Sequence, residues 1–247
     1  MGQYDVVIIG AGLGGLLCGS ILGKEGFNVC IIEKNHKLGG SLQTFGRKGC
    51  IFNTGLNYTE SLDKGQVLNQ YFRYFGLLSY LKLERLDPEG FEIIDFSDGS
   101  YRFAMGQEDF VETLAQSFPS EREGLRKYSH TIRDICNAIS LYSLKEERIS
   151  IFENYDISTS AANYISSVIT NPRLRNILAG NNMLYAGHET KTPLFIHALI
   201  NHSFIESAWR VVDGSHLLVN LLARNILSTG GTILRGSAVV KLRSGGV

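Results

Sequence analysis

A set of glycines and one glutamate near the N-terminus are the residues whose types and spacing could do chemistry. Gly10, Gly12 and Gly15 form G-x-G-x-x-G between an apolar run and a helix-like stretch. That pattern is chemistry for holding the pyrophosphate of a dinucleotide. Gly10 permits the tight turn, Gly12 lets the pyrophosphate approach the backbone, and Gly15 lets helix and strand pack closely. The helix that follows, opening at Leu13 and Gly14, supplies unpaired N–H groups and a partial positive charge. Glu33 ends the next apolar run, where a carboxylate accepts hydrogen bonds from ribose hydroxyls. A lone glycine turn is weak evidence. The strand before it, the helix after it and the acid at the end of the next strand make it a dinucleotide site.

The elements that must position these groups can be read from the same stretch. Val6–Ile9 is a short apolar run, expected as a strand buried on both faces. Gly15, Gly19 and Gly23 recur every four residues, which leaves one helix face without side chains to lie against a sheet. Gly26 suits the left-handed position that ends the helix. Val29–Ile32 is the second strand, delivering Glu33 and Lys34. Gly39, Gly40 and Ser41 then form a second glycine-rich point, which a short nucleotide does not need and the longer FAD does. From Gly46 to Gly55 the sequence has a short β-like segment ending in glycine.

Taken together these residues resemble the FAD-dependent amine-oxidase and phytoene-desaturase superfamily, in the branch of carotenoid isomerases and retinol saturase-like proteins. The resemblance implies an α/β, Rossmann-like FAD-binding domain (βαβ with GxGxxG) carrying an inserted α+β substrate domain. The family's phenylalanine-aspartate-x-glycine stands here as Phe52-Asn53-Thr54-Gly55, with Asn53 in the aspartate's place. A second match is Trp209-Arg-Val-Val-Asp-Gly-Ser215, a helix, Gly230-Gly231 and Val239; in the family the matching valine presents its backbone to the adenine. The resemblance is specific over the first stretch and the last, and loose between them. The family's second glycine-rich segment has no match, so this chain is expected to be the N-terminal, truncated half of such an enzyme, inactive alone.

Composition narrows the class. With 44% hydrophobic and 19% charged residues the chain is expected to form a sizeable core. Basic and acidic residues balance at 24 each, so no global field attracts nucleic acid or an anionic membrane. Cys18, Cys30, Cys50 and Cys136 contain no C-x-x-C pair; Cys18 and Cys30 are expected as small buried residues in a reduced, cytoplasmic protein. No signal peptide or membrane-spanning run is expected. Peripheral contact with a membrane is how an apolar substrate would be reached.

Glycine density falls after Gly55, giving expected segments of 1–60 (FAD domain, first part), 61–205 (substrate or cap domain) and 206–247 (FAD domain, second part). Val67 to Leu78 has helical spacing, and Leu81–Leu86, Phe91–Phe96 and Tyr101–Ala104 read as strands of one small antiparallel sheet. Ser120 and Glu123 match a capping box ahead of a stripe at Leu125, Tyr128, Ile132, Ile135, Ile139 and Tyr142. Asn171-Pro172 and Thr192-Pro193 each place a cap before a proline. Ser215 is expected to cap a helix running to Gly230-Gly231, followed by strands at Thr232–Leu234 and Ala238–Leu242.

No nucleophile–base constellation appears, so no catalytic side chain is assigned and no metal is expected. His197 and His202, five apart, do not share a helix face as a metal pair would. His188 sits in a polar loop and reads as a surface residue. The expected activity is transfer of a hydride equivalent between flavin and a hydrophobic, polyene- or isoprenoid-like substrate. The alternatives are a flavin amine oxidase and a non-catalytic Rab-escort-like binding module, whose relatives lose the third motif glycine, kept here as Gly15.

Overall fold

The computed structural model describes residues 3–144 and 159–243. In chain order the elements are β1 (Val6–Ile9), α1 (Leu13–Lys24), β2 (Val29–Ile32), β3 (Thr44–Arg47), β4 (Cys50–Asn53), β5 (Thr59–Glu60) and α2 (Val67–Tyr74). Next come β6 (Leu83–Arg85), β7 (Glu92–Phe96), β8 (Gly99–Phe103), α3 (Gln107–Ser117), α4 (Arg122–Ala138) and α5 (Ser140–Ser143). The last are α6 (Ala161–Val168), α7 (Pro172–Leu178), α8 (Leu194–Glu206), β9 (Ala208–Val211), α9 (His216–Ser228) and β10 (Thr232–Leu234). The closing Ser244–Val247 lies outside the described residues. Contacts divide the chain into two compact units: residues 1–58, 71–84 and 211–247, and residues 59–70 and 85–210.

The first unit is built on a parallel sheet of order β1-β2-β10, with Ile8, Ile31 and Ile233 in register across it. These strands are short β-branched runs bounded by glycine: β1 ends at the Gly10 turn, β2 follows Gly26, and β10 follows Gly230-Gly231. Helix α1 lies on the face that carries Ile8 and Ile31, and α9 packs beside it. The glycine stripe of α1 makes this approach possible. A Cβ on Gly19 would stand 2.9 Å from Ile31 Cδ1, and one on Gly23 would stand 2.4 Å from Thr229 Oγ1. The stripe therefore meets the sheet at one end and the α9 C-terminus at the other.

Three expectations fail here. Strand β1 is not buried on both faces: Val7 and Ile9 are 52% and 54% exposed, because both helices lie on the opposite face. Residues 236–243 form no strand, since none of the described residues offers them a ladder partner. Cys18 also proves exposed rather than buried, because it points away from the glycine stripe of α1. All four cysteines are free thiols.

Strands β3 and β4 make a hairpin whose two-residue turn, Lys48-Gly49, has positive φ at both positions (50° and 77°). Positive φ at both central residues matches the right-handed twist of the flanking strands. The segment 71–84 belongs to this unit: Phe75 O accepts from Asn225 Nδ2 at 2.8 Å, and the Arg224 guanidinium lies 4.2 Å from the Tyr80 ring centre.

The second unit is mainly helical. Its core is the α4 stripe, in which Leu125, Tyr128, Ile132 and Ile135 are each at most 1% exposed, packed with α8. Strands β7 and β8 form a two-stranded hairpin, pairing Phe96 with Gly99 across Ser97 and Asp98. Leu83–Arg85 does not join that hairpin, which corrects the three-stranded sheet expected from sequence; Leu86 N–H instead donates to Ala208 O at 2.9 Å. Asn171 caps α7 as expected, accepting from Arg173 and Leu174 N–H. At α8 the cap position is Pro193 itself, while Thr192 Oγ1 accepts from His188 N–H.

The expected capping box at Ser120 and Glu123 is absent. Helix α4 starts at Arg122, and Glu121 turns its carboxylate to Asn171 N–H (2.6 Å) and Thr170 N–H (3.1 and 3.2 Å). Thr170 Oγ1 also donates to it at 2.5 Å, and the residue is 4% exposed. Glu123 pairs instead with Arg126 at 2.9 Å. Glu121 thus bolts the start of α4 to the start of α7. Glu121→Ala leaves buried N–H groups unpaired and is expected to cost about 1–3 kcal/mol in urea unfolding, whereas Ser120→Ala should cost almost nothing.

Candidate dinucleotide site

The glycine turn between β1 and α1 has the geometry its residue types require. Gly10 adopts φ +100°, which a side chain would oppose, and its N–H donates to Ile32 O at 2.8 Å. A Cβ on Gly15 would stand 2.1 Å from Gly10 O, so only glycine lets the helix close on the turn. At Gly12 and Gly14 a Cβ would meet nothing within 4 Å. Space is open where a ligand would approach the backbone. Gly12 is the N-cap of α1 and no side chain caps the helix. The first N–H groups of α1, at Leu13, Gly14 and Gly15, have no acceptor within the helix. An uncapped, glycine-lined helix start of this kind fits an anion such as a pyrophosphate.

Glu33 stands beside this turn, 7% exposed. Its Oε2 accepts from Ala11 N–H and its Oε1 from Asn35 N–H, each at 2.8 Å. The carboxylate therefore holds the turn and its own loop together. Two hydrogen bonds use about half of the roughly four lone-pair positions a carboxylate offers, leaving acceptor capacity for hydroxyls. The bond from Ala11 N–H, then that from Asn35 N–H, lower its pKa against the opposing effect of burial.

The second glycine pair is packed onto the first. Gly39 N–H donates to Ala11 O at 2.8 Å, and Gly12 and Gly39 form a parallel bridge. Gly39 has φ +106°, and a Cβ there would lie 2.6 Å from Val219 Cγ2. Gly40 approaches Gly12, Ser41 is exposed, and a Cβ on Gly55 would stand 2.6 Å from Ser41 O. Thr54 Oγ1 donates to Ser41 O, at 2.9 Å. Val239 is 36% exposed, two residues beyond Ser237, whose N–H donates to Glu33 O at 2.9 Å. Gly10, Gly12, Leu13, Gly14, Gly15, Glu33, Lys34, Gly39, Gly40, Ser41, Gly55 and Val239 all lie in the first unit.

Several supporting residues carry no motif. Ala11 and Asn35 act through backbone N–H groups. Asn53, in place of an aspartate, still accepts: its Oδ1 receives Ser215 N–H at 2.9 Å and Ser215 Oγ–H at 3.0 Å. Ser215 is the N-cap residue of α9, but its hydroxyl is spent there and on Leu42 O rather than on capping. His188, His197 and His202 lie in the second unit. His197 is buried, its Nε2 2.8 Å from Tyr128 OH and its Nδ1 2.8 Å from Tyr185 OH, and burial pushes its pKa down to about 4. His188 is exposed. Among the described residues no group of three or more His, Cys, Asp or Glu could hold a metal.

Two outcomes test this geometry. Because the folded pKa of Glu33 is depressed, its contribution is complete above the unfolded value of about 4.3 and is lost as pH falls through the folded value. Glu33→Gln should therefore be less stable by about 1–3 kcal/mol at pH 7, with the gap to the wild type closing in acid, as read by urea unfolding. Gly15→Ala should lower the unfolding midpoint and abolish nucleotide binding, while Gly14→Ala, with open space at its Cβ, should fold normally.

Comparison with known proteins agrees with this geometry. Residues 8–75 match the family described as NAD(P)-binding Rossmann-like domain. Over 96% of its length the chain is 26% identical to all-trans-retinol 13,14-reductase of Rattus norvegicus, of which it covers 42%. It is 26% identical to carotenoid 3,4-desaturase of Haloarcula japonica, over 81% of this chain and 42% of the relative. It is 30% identical to prolycopene isomerase 2 of an Oncidium hybrid cultivar, over 62% of this chain and 26% of that protein. Among solved structures, an oxidoreductase from Methanosarcina mazei superposes with TM-score 0.65 at 18% identity, covering 93% of this chain and 50% of that one. Putrescine oxidase gives TM-score 0.61 at 19% identity, over 94% and 51%. The chain thus spans about half the length, or less, of the proteins it matches. It is a homologue of the retinol reductases, carotenoid desaturases and prolycopene isomerases, and the resemblance to that branch of the FAD-dependent amine-oxidase and phytoene-desaturase superfamily is borne out.

Proposed function

We propose that this chain holds FAD and forms part of an oxidoreductase that exchanges a hydride equivalent with a hydrophobic polyene. The observation that carries the reading is the joining of Gly10–Gly15, Glu33 and Gly39–Gly40 into one site by the Ala11–Glu33 and Gly39–Ala11 bonds. A second glycine segment packed against the first extends the backbone surface beyond what a mononucleotide would cover. When bound, FAD supplies the flavin ring that exchanges the hydride equivalent; the protein supplies position and exclusion of water. The N–H groups of Leu13, Gly14 and Gly15 would hold the pyrophosphate. Glu33 would accept from a ribose hydroxyl, and the backbone near Val239 would meet the adenine.

The polyene class rests on the sequence likeness to retinol reductase, carotenoid desaturase and prolycopene isomerase. The likeness to putrescine oxidase, at 19% identity, speaks for the fold alone. Among the described residues no helix is long and apolar enough to cross a membrane. Independently of that, peripheral contact with a membrane would give access to an apolar substrate.

The protein purified with FAD is expected to show flavin absorbance that co-elutes with it, and Glu33→Ala should weaken FAD binding by about 1.5–3 kcal/mol. A protein that stays colourless on reconstitution sinks the cofactor reading. Under anaerobic conditions the flavin of the full-length protein should change redox state with a retinoid or carotenoid and not with a polyamine; the reverse outcome overturns the substrate class.

A further inference from the structure

Behind the loop that carries Glu33 and Gly39 lies a separate cleft of about 240 Å³, lined by His36, Lys37, Gln43, His216, Asn220 and Arg235 with Leu38, Thr44 and Val219. All of these residues belong to the first unit. None of the residues lining the dinucleotide turn takes part, so the loop has two working faces. The cleft's walls come from the residues after β2, the start of β3, the first turns of α9 and the residue after β10.

The chemistry of this lining is one-sided. Lys37 and Arg235 bring positive charge, and His36 and His216 add two imidazoles. Gln43, Asn220 and Thr44 add amide and hydroxyl donors, and no carboxylate lines the cleft. Neither Lys37 nor Arg235 forms an ion pair among the described residues, whereas Arg85, Arg122, Arg126, Arg133 and Arg173 all do. Gln43 Nε2 donates to Lys37 O at 3.2 Å, which keeps the loop folded over the cleft. His216 Nδ1 is buried with no hydrogen-bond partner. Like charges lining one cleft repel each other, and a bound anion offsets that repulsion. An arginine fork with a lysine point charge and several neutral donors is a lining that matches a phosphate oxygen set. The volume is below the roughly 300–1,000 Å³ of pockets that bury drug-sized ligands, so it admits a phosphate with a small substituent and no dinucleotide.

We propose that this cleft binds the phosphate group of a small soluble phosphomonoester, independently of the dinucleotide turn. Lys37 and Arg235 supply the charge, and Gln43 and Asn220 supply the directional donors. The proposal does not depend on FAD being the dinucleotide.

The test is a titration of the 15N-labelled protein with glycerol 3-phosphate and, separately, with inorganic phosphate, against chloride at equal ionic strength. The side-chain amides of Gln43 and Asn220 should shift saturably with both phosphates. Lys37→Gln and Arg235→Gln should each weaken binding at least about tenfold, the loss expected for one charged hydrogen bond. Lys37→Arg should retain it, and unchanged amide spectra elsewhere show that the variants are folded. Shifts confined to Leu13, Gly14 and Gly15, or binding that survives both substitutions, overturn the proposal. Vesicles of phosphatidylcholine with phosphatidic acid form the third arm. Co-sedimentation that requires Lys37 and Arg235, with glycerol 3-phosphate leaving the amides unmoved, overturns the soluble ligand in favour of a lipid headgroup.

Discussion

The bond from Ala11 N–H to the Glu33 carboxylate is the interaction on which the first unit depends. It joins the turn after β1 to the loop after β2, two segments 22 residues apart, and the Gly39 N–H bond to Ala11 O adds a second tie between them. The second oxygen takes Asn35 N–H, so the loop cannot swing away without unpairing a nearly buried carboxylate. Leaving such a group unsatisfied costs more than its bonds contribute when formed. Glu33 is therefore the clasp of the glycine turn, and the role proposed for it as a ribose acceptor would start from a carboxylate already held in place.

Close approach is the second constraint. Gly15, Gly19, Gly23 and Gly39 each sit where a Cβ would fall within 3 Å of another atom. Three of these contacts hold α1 against the turn, β2 and the end of α9, and the fourth seats the Gly39 loop on Val219 of α9. The consequence reaches across the chain. Helix α9 and β10, more than 170 residues after the glycine turn in sequence, belong to the same unit as that turn because glycines leave room for them.

The parts of this architecture legible in sequence were those with a local cause. Val6–Ile9, the glycine-striped helix ended by Gly26, and Val29–Ile32 announce themselves by β-branched runs, glycine spacing and a glycine terminator, and the structure places β1, α1 and β2 there. Whether a strand face is covered has no local signature, so an apolar run cannot show that Val7 and Ile9 are exposed. Ser120 and Glu123 satisfied a capping pattern, yet Glu121 is claimed by Thr170 and Asn171, about 50 residues away, and the pattern is not used. Ala238–Leu242 has the composition of a strand and lacks a neighbour. In the candidate site, the glycines and Glu33 could be named because residue type decides what they do: a missing Cβ at Gly10 and Gly15, and an accepting carboxylate at Glu33. Ala11 and Asn35 could not, because a backbone N–H leaves no trace in residue type. The Asn53–Ser215 contact was equally hidden, since it links residues 162 apart.

We propose that the glycine turn and Glu33 form one dinucleotide site. An amide-resolved NMR titration with FAD is the decisive measurement, because it reads each participating N–H separately. Saturable shifts are expected at Leu13, Gly14, Gly15 and Ser41, with Ala11 and Asn35 responding together because one carboxylate holds both. Saturable FAD binding that leaves the Leu13–Gly15 amides unmoved, or moves Asn35 without Ala11, would contradict it.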